Sequence, residues 1–312
     1  MKIVFLDAKT VGDVPNLNDL ENLGKVTFHQ TTSPAQTEER IKDADIIITN
    51  KVVIDKELIE KSTRLKLICV AATGMNNIDL EAAEKAGISV KNVAGYASSS
   101  VAQSTFALIL YLMQDIGYYD NYVKSGEYSK SVIFTNLARP FREIHGKRFG
   151  IIGLGSIGRQ VAKIAEAFGA EVVYHSTSGR NTDQPYLLLD LDELLETSDI
   201  VSIHAPLNEN TEGLIGYEQM ELMKESAILV NTGRGGIVIE ADLARAIDEE
   251  LIAGAALDVF EKEPIKPDNP LLKVQNKKRL VLVPHITWSS VEARMELLEG
   301  VKENIEEFLE VR

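Results

Sequence analysis

The chain has 312 residues, enough for about two domains that each bury a core. Hydrophobic residues make up 45% of it and charged residues 26%, a composition that excludes disordered and fibrous proteins. The formal net charge of −14 argues against nucleic acid or an anionic membrane as a partner.

Targeting and redox signals are weak in this sequence. The single cysteine, Cys69, lies in the apolar run LKLICVAA, which predicts a buried thiol and leaves no intrachain disulfide. The amino-terminal MKIVFLD is typical of a strand rather than a signal peptide. The longest apolar run, residues 106–113, is too short to cross a bilayer. We therefore expect a soluble cytoplasmic protein.

Over residues 1–95, short apolar runs alternate with helical patterns, which predicts a parallel sheet covered by helices on both faces. The predicted strands are 2–6, 26–29, 45–49, 65–71 and 88–92. The predicted helices between them are 17–23, 37–42, 56–61 and 79–86. No G-x-G-x-x-G sequence occurs in this half, so we expect no dinucleotide site there. One long connecting helix is predicted next, over 98–125, followed by a loop-rich segment over 128–146.

The stretch KRFGIIGLGSIGRQVAKIAEAFGAEVVYHS, residues 147–176, predicts a strand–helix–strand unit that binds a dinucleotide. Gly153, Gly155 and Gly158 follow the first strand in G-x-G-x-x-G spacing. The first glycine permits a tight turn, the second lets a pyrophosphate approach, and the third lets helix and strand pack closely. The helix amino terminus offers free N–H groups to the phosphates. The alternatives are a structural turn or another nucleotide, such as S-adenosylmethionine.

The remaining chain alternates again and predicts a second parallel sheet. The last helix, predicted over 289–309, is expected to pack on the first domain and to make that domain discontinuous. The predicted fold class is α/β, with two Rossmann-like, doubly wound parallel-sheet domains. The further strands are predicted over 200–204, 227–231, 253–259 and 280–283, and the further helices over 191–197, 218–223 and 241–249.

Ionisable residues that directly follow predicted strands are candidates for chemistry, because ligands bind beyond the carboxyl ends of parallel strands. Arg234, in NTGRGG, offers a guanidinium that can hold a carboxylate with two hydrogen bonds; the alternative is a solvated loop arginine. His285, after LVLVP, suits proton exchange near neutrality, and a partner such as Glu263 would favour its charged form. The alternative is a histidine that caps a strand. His204 follows IVSI in the same way, and local sequence does not separate the two histidines.

Two other kinds of site are not expected. No His, Cys, Asp or Glu cluster has the spacing of a zinc site, so we expect no metal. No G-x-S-x-G elbow occurs, so acyl-transfer hydrolysis is not expected either.

The motifs GLGSIG, NTGRGG, DVFEKEP and PHITW occur in this order, with ATGMNNID and GYASSSVAQ before them. In these motifs the chain resembles the D-isomer-specific 2-hydroxyacid dehydrogenases almost end to end. The resemblance implies a substrate-binding domain of residues 1–97 and 287–312 and an NAD(P)-binding domain of residues 98–286. It also implies a homodimer formed through the cofactor domain and its connecting helix.

The same resemblance implies residue roles. Arg234 would bind the carboxylate and carbonyl of a 2-keto acid, His285 would be the acid/base, and Glu263 would hydrogen-bond His285. The HAPL segment would have a cofactor-side role, which favours His285 over His204 as the base. The implied substrate-binding residues are Thr73, Gly74, Met75, Arg234, His285 and Trp288. The implied cofactor-binding residues are Gly153, Gly155, Ser156, Ile157, Gly158, Ser176, Thr177, Arg180, His204, Ala205, Pro206, Thr211, Thr232, Gly233, Arg234, Asp258 and His285.

Substrate and cofactor preference rest on a few positions. Gln103 and Trp288 look most similar to the glycerate dehydrogenase, or hydroxypyruvate reductase, group, so hydroxypyruvate is expected first and glyoxylate second. Ser176 stands where related NAD enzymes carry an aspartate, and Thr177 and Arg180 follow it. This run favours NADP slightly over NAD; the alternative is that Ser176 binds the 2′-hydroxyl of NAD.

Two other functions stay open. One is an NAD(H)-sensing, corepressor-like protein, against which the intact Arg234, Glu263 and His285 argue. The other is a dehydrogenase for a different 2-keto acid or for phosphoglycerate.

Overall fold

The computed structural model describes residues 1–310, and the chain folds into two compact units. The first unit contains residues 1–97 and 289–310, so it is discontinuous in sequence. The second unit contains residues 98–288. Over residues 1–310, no helix is both long and apolar enough to span a membrane.

The first unit has a five-stranded parallel sheet in the order β2-β1-β3-β4-β5. Three strands are almost wholly buried, as expected for a sheet with helices on both faces. Cys69 lies in one of these strands with no exposed surface, which confirms the predicted buried thiol; burial raises its pKa to about 12. The strands are β1 Lys2–Phe5, β2 Lys25–Phe28, β3 Ile46–Thr49, β4 Leu67–Val70 and β5 Ser89–Asn92. The helices are α1 Pro34–Ile41, α2 Lys56–Lys61 and α3 Leu80–Lys85, and Leu17–Leu23 is a 3₁₀ helix.

The second unit has a seven-stranded parallel sheet in the order β12-β11-β10-β9-β6-β7-β8. The strand order reverses between β6 and β9, and ligands bind beyond the strand ends at such a point. The strands are β6 Arg148–Ile152, β7 Glu171–His175, β8 Leu187–Leu188, β9 Ile200–Ile203, β10 Ile228–Asn231, β11 Gly254–Leu257 and β12 Leu280–Leu282. The helices are α4 Ser98–Gln114, α5 Ile116–Lys124, α6 Ser156–Ala167, α7 Leu191–Thr197, α8 Tyr217–Leu222 and α9 Glu240–Asp248.

The single helix predicted over 98–125 is wrong, because α4 and α5 are separate helices. Asp115 stands between them in the left-handed conformation, with φ of 48°. Its carboxylate pairs with Arg139. Aspartate is one of the few residue types that adopt this conformation readily. The apolar pattern runs through the break, so the sequence does not reveal it.

The last helix, α10 Val291–Glu310, belongs to the first unit. It packs on β4 and β5 through a buried stripe that includes Leu297, Val301 and Ile305. Gly300 permits the close approach, because a Cβ there would lie 2.6 Å from Val93 Cγ1. The prediction that this helix returns to the first domain is confirmed.

Candidate active site

His285 stands three residues beyond the end of β12, and its backbone is unusual. Its φ is 53°, in the left-handed region that non-glycine residues rarely adopt. The His285 N–H donates to the Asp258 carbonyl oxygen at 2.9 Å, which ties this turn to the end of β11. Strain of this kind persists only where surrounding contacts hold it in place.

The His285 ring forms a pair with Glu263. Nδ1 lies 2.6 Å from Oε2, and the Phe260 N–H donates to Oε1 at 3.1 Å. The two side chains are 26% and 33% exposed, so the pair is half-buried but within reach of solvent. Because Nδ1 is engaged by the carboxylate, Nε2 is the ring nitrogen that can meet a ligand.

Asp258 supports the turn that carries His285. It is 1% exposed, and its Oδ1 accepts the Ile286 N–H at 2.7 Å. The N–H and hydroxyl of Thr287 also donate to this carboxylate. The pKa of Asp258 is raised because the carboxyl is buried. The hydrogen bonds and the nearby His285 lower this pKa, but burial outweighs them. The carboxylate therefore holds the backbone on the carboxyl side of His285.

The loop that carries Arg234 is fixed from inside by Asn231, which is 1% exposed at the end of β10. Its Oδ1 accepts the Gly233 N–H at 3.0 Å, and its Nδ2 donates to the Arg234 carbonyl at 2.9 Å. Gly235 is required for close packing, because a Cβ there would lie 1.8 Å from the Phe260 carbonyl oxygen. The guanidinium of Arg234 is exposed, and among residues 1–310 it has no carboxylate partner. Such a guanidinium can take a ligand carboxylate.

The glycine motif lies between β6 and α6. Gly153 has φ of 91°, and a Cβ there would lie 2.8 Å from the Ala205 backbone. A Cβ on Gly158 would lie 2.4 Å from the Gly153 carbonyl oxygen. A Cβ on Gly155 would meet no atom of the described residues within 4 Å, so no contact in the described part of the chain requires glycine there. This open space fits the approach of a pyrophosphate to the start of α6, where Ser156 and Ile157 stand.

The carboxyl end of β7 holds an unsatisfied hydroxyl. Ser176 Oγ is buried and has no hydrogen-bond partner among residues 1–310. Thr177 follows it half-buried, and Arg180 is exposed. No acidic residue occurs between Ser176 and Asp183. A buried hydroxyl without a partner at this strand end fits a bound ribose, which would supply the missing hydrogen bond.

In the first unit, the predicted carboxylate-binding loop follows β4. Thr73 donates its hydroxyl to the Val93 carbonyl at 3.1 Å, and its own carbonyl accepts Asn92 Nδ2 at 2.6 Å. The Met75 carbonyl accepts the Ile78 N–H at 3.0 Å. The loop around Gly74 is thus tied down on both sides. Among residues 1–310, no group of three His, Cys, Asp or Glu side chains is placed to hold a metal ion.

Comparisons with known proteins show the family of the chain. Residues 106–287, more than half of the chain, match the family described as D-isomer specific 2-hydroxyacid dehydrogenase, NAD binding domain. The chain belongs to this family. Its members are NAD(P)-dependent oxidoreductases, so the predicted family, enzyme class, fold and NAD(P) cofactor are confirmed.

Individual relatives of this dehydrogenase cover nearly its whole length. A hydroxypyruvate reductase of Blautia hydrogenotrophica is 38% identical, over 99% of this chain and 97% of the relative. A glycerate dehydrogenase of Methylorubrum extorquens is 36% identical, over 99% and 96%. Among solved structures, an acyclic imino acid reductase, Bsp5, in complex with NADPH and D-Arg superposes with a TM-score of 0.87 at 32% identity. That superposition covers 99% of this chain and 97% of the other.

His204 of this dehydrogenase lies in a hydrogen-bond network of hydroxyls. Nε2 lies 2.8 Å from Ser202 Oγ, and Nδ1 lies 3.2 Å from Thr232 Oγ1. Burial lowers the His204 pKa to about 3. The ring is therefore neutral at physiological pH. Within residues 1–310 it has no carboxylate partner, whereas the His285 ring is paired with Glu263. The neighbour of His204, Ala205, is buried, and Pro206 accepts the hydroxyl of Thr211 at 2.6 Å.

The buried His204 predicts a pH effect on the stability of the dehydrogenase. An unfolded histidine takes up a proton near pH 6.5, whereas the folded one stays neutral down to about pH 3. The unfolded state thus binds more protons in this window, so stability falls as the pH falls from 6.5 towards 3. The His204→Asn variant lacks this uptake, and its free energy of unfolding should depend less on pH, by up to about 1.4 kcal/mol per pH unit. Urea unfolding of both proteins at pH 7, 6 and 5 measures this; parallel curves would contradict it.

Sequence reasoning missed Asn231 and Thr287, and it gave Thr232 a cofactor role alone. It named Asp258 with Glu263 as an acidic pair that follows a strand, and the resemblance placed Asp258 near the nicotinamide and the His285–Glu263 pair. Asn231, Thr232, Asp258 and Thr287 all hold the backbone next to Arg234 or His285. The only signal in the sequence is their position beside the motif residues at strand ends. Their hydrogen bonds join residues up to 187 positions apart, which local patterns do not show.

Proposed function

We propose that this dehydrogenase reduces a small 2-keto acid to the D-2-hydroxy acid, with His285 as the acid/base and hydroxypyruvate or glyoxylate as the favoured substrate. The proposal rests mainly on one observation: His285 Nδ1 lies 2.6 Å from Glu263 Oε2. The pair lies at the carboxyl end of the sheet, where the exposed Arg234 also follows a strand. A histidine held by a carboxylate can exchange a proton, and a nearby guanidinium can hold an anionic substrate.

Each side chain then has one task. Arg234 binds the substrate carboxylate and stabilises negative charge that develops on the carbonyl oxygen. His285 gives the proton on Nε2 to that oxygen, while Glu263 holds Nδ1 and stabilises the protonated ring. When bound, the reduced nicotinamide supplies the hydride. The proposed contacts of the whole dinucleotide are the glycine motif, the HAPL segment, Thr211, and Thr232 to Arg234. Thr73, Gly74, Met75 and Trp288 stay predicted substrate ligands.

The relatives support the choice of substrate, because one is named a hydroxypyruvate reductase and another a glycerate dehydrogenase. The test is the initial rate of reduction of hydroxypyruvate, glyoxylate, pyruvate and 3-phosphohydroxypyruvate, with NADH and NADPH in parallel. We expect the highest kcat/KM for hydroxypyruvate and the next for glyoxylate. A higher value for one of the other acids would overturn the substrate choice. Tight nucleotide binding with no turnover of any acid would favour a sensor.

We also propose a modest preference for NADPH, supported by the unsatisfied Ser176 hydroxyl and the exposed Arg180. An arginine binds a 2′-phosphate through charge-assisted, bidentate hydrogen bonds, whereas a 2′-hydroxyl offers it only one weaker neutral acceptor. The Arg180→Ala variant should therefore weaken NADPH binding about tenfold and leave NADH binding almost unchanged. Ser176→Asp should reverse the preference by repelling the phosphate. Titration of both nucleotides by calorimetry measures this, and tighter NADH than NADPH binding by the wild type would contradict it.

A homodimer is supported by exposed apolar side chains on the segment 128–141. Val132, Phe134 and Leu137 are 99%, 89% and 79% exposed, and Ile133 and Phe141 are more than half exposed. Large apolar side chains that are exposed together on one short segment are typical of a protein–protein interface. We expect twice the chain mass in light scattering after gel filtration, and a monomer after Phe134→Asp with Leu137→Asp. Val53→Asp, at a 61% exposed valine of the first unit, is the matched control. A monomeric wild type would contradict the proposal. The cytoplasmic location stays a prediction.

A further inference from the structure

Helix α4 holds the segment that follows His285. Ser100 Oγ donates to the Thr287 carbonyl at 2.7 Å, and Ser104 Oγ lies 3.4 Å from the same oxygen. The N–H and hydroxyl of Thr287 are held by Asp258. Thr287 lies two positions after His285. Asp258 therefore holds its N–H and hydroxyl, and α4 holds its carbonyl.

The same helix also holds the residue that begins the Arg234 loop. Thr105 Oγ1 lies 3.3 Å from Thr232 Oγ1, and both residues are buried. Thr105 donates its own hydroxyl to the Val101 carbonyl at 2.9 Å, so it can only accept from Thr232. Thr232, two positions before Arg234, is thereby linked to α4.

These assignments fix the proton positions in the whole network. Because Thr232 donates to Thr105, it accepts from His204 Nδ1–H, and Nε2 accepts from Ser202. The ring is neutral in this arrangement, with its proton on Nδ1. A single direction of donation then runs from Ser202 through His204, Thr232 and Thr105 to Val101.

We propose that Ser100 and Thr105 are positioning residues. Through them, α4 sets the position of His285, the proton donor, and of Arg234, which binds the substrate carboxylate. The inference rests on the proposed function of His285 and Arg234. Ser100 acts through Thr287 on His285, and Thr105 acts through Thr232 on Arg234. Neither side chain has to touch the substrate or the cofactor for this role.

The two branches have different kinetic signatures. A loosened Arg234 loop weakens binding of the 2-keto acid, so Thr105→Val should raise the KM of the keto acid about 3- to 10-fold, with kcat within about twofold. A loosened His285 turn impairs proton delivery, so Ser100→Ala should lower kcat about 3- to 10-fold and shift the pH profile of kcat, with KM within about twofold. Thr105→Ser keeps the hydroxyl and should restore the wild-type KM.

The matched control is Thr197→Val. Thr197 makes the same bond to the carbonyl four residues earlier, at 2.6 Å on α7. In the described part of the chain its side chain has no hydrogen bond to either loop. Thermal unfolding and nucleotide titration of all variants separate a general loss of fold from positioning. His285→Gln and Arg234→Gln are measured beside them: if these two also leave the rates unchanged, the proposed function fails rather than the positioning role.

The outcomes that overturn the inference are specific. If Thr105→Val is folded and has the KM of Thr197→Val, Thr105 does not position Arg234. If Ser100→Ala keeps the kcat and pH profile of the wild type, Ser100 does not position His285. Nitrogen-15 NMR of the wild type gives an answer even where a variant fails to fold: a His204 proton on Nε2 would contradict the direction of the network.

Discussion

Replacing His285 with glutamine is expected to lower kcat for 2-keto acid reduction by about 10²- to 10⁴-fold, the usual contribution of a general acid. Glutamine retains an amide near Glu263 but supplies no acidic proton near neutral pH. The KM of the keto acid should change far less, since Arg234 is untouched. Initial rates over a range of keto acid at saturating NADPH or NADH measure both constants.

Two variants accompany this experiment. Glu263→Gln keeps a hydrogen-bond partner for Nδ1 but removes the charge, so we expect a smaller loss of kcat than in His285→Gln. His204→Asn tests the rival histidine, which is neutral and surrounded by hydroxyls. A loss in His204→Asn as large as in His285→Gln, with the fold intact, would reverse the roles of the two histidines.

The second large expected effect comes from replacing glycines of the motif. Replacing Gly158 should reduce stability and nucleotide binding, whereas replacing Gly155 should reduce nucleotide binding alone. Gly158→Ala places a Cβ 2.4 Å from the Gly153 carbonyl and 3.3 Å from Ile151 Cγ2. Neither the strand nor the turn can move away freely, so we expect a loss of about 1–3 kcal/mol in unfolding free energy, together with weakened nucleotide binding. Differential scanning calorimetry and nucleotide titration measure the two losses.

Gly155→Ala is the matched comparison, since its Cβ meets no atom of the described residues within 4 Å and its backbone φ is −77°. We expect an unfolding temperature within about 2 °C of the wild type, because a change below about 0.5 kcal/mol shifts it little. Nucleotide affinity should nevertheless fall at least tenfold, since the methyl group takes the space of the pyrophosphate. An equal loss of stability in both variants, or full nucleotide affinity in Gly155→Ala, would contradict the hypothesis that the open space beside Gly155 takes the pyrophosphate.

The features that the sequence predicted correctly depend on local pattern. The alternation of apolar runs and helical stretches predicts two parallel sheets, and the spacing of Gly153, Gly155 and Gly158 predicts the turn between β6 and α6. The break at Asp115 was missed, since it depends on one φ angle and a partner 24 residues away. Strand β8 was also missed, because two exposed leucines at a sheet edge are too few to show the alternation of apolar and polar residues that marks a strand.

The site shows the same limit more sharply. His204 and His285 both follow apolar strands, and their local sequences are equivalent for this purpose. What separates them is the partner at each ring, a carboxylate 22 positions away for His285 and two hydroxyls for His204. Only the tertiary fold places these partners, so the residues alone left the choice to a resemblance.

The left-handed backbone at His285 places two demands on one position. Holding a non-glycine residue in this region costs of order 1 kcal/mol, which the contacts to Asp258 must offset. Glycine would relieve that strain, but it carries no ring. Under the proposed function, selection for turnover keeps the chain away from its most stable sequence at this position. A screen for heat resistance alone would therefore select against the residue on which the proposed chemistry depends, whereas a screen that also requires turnover would retain it.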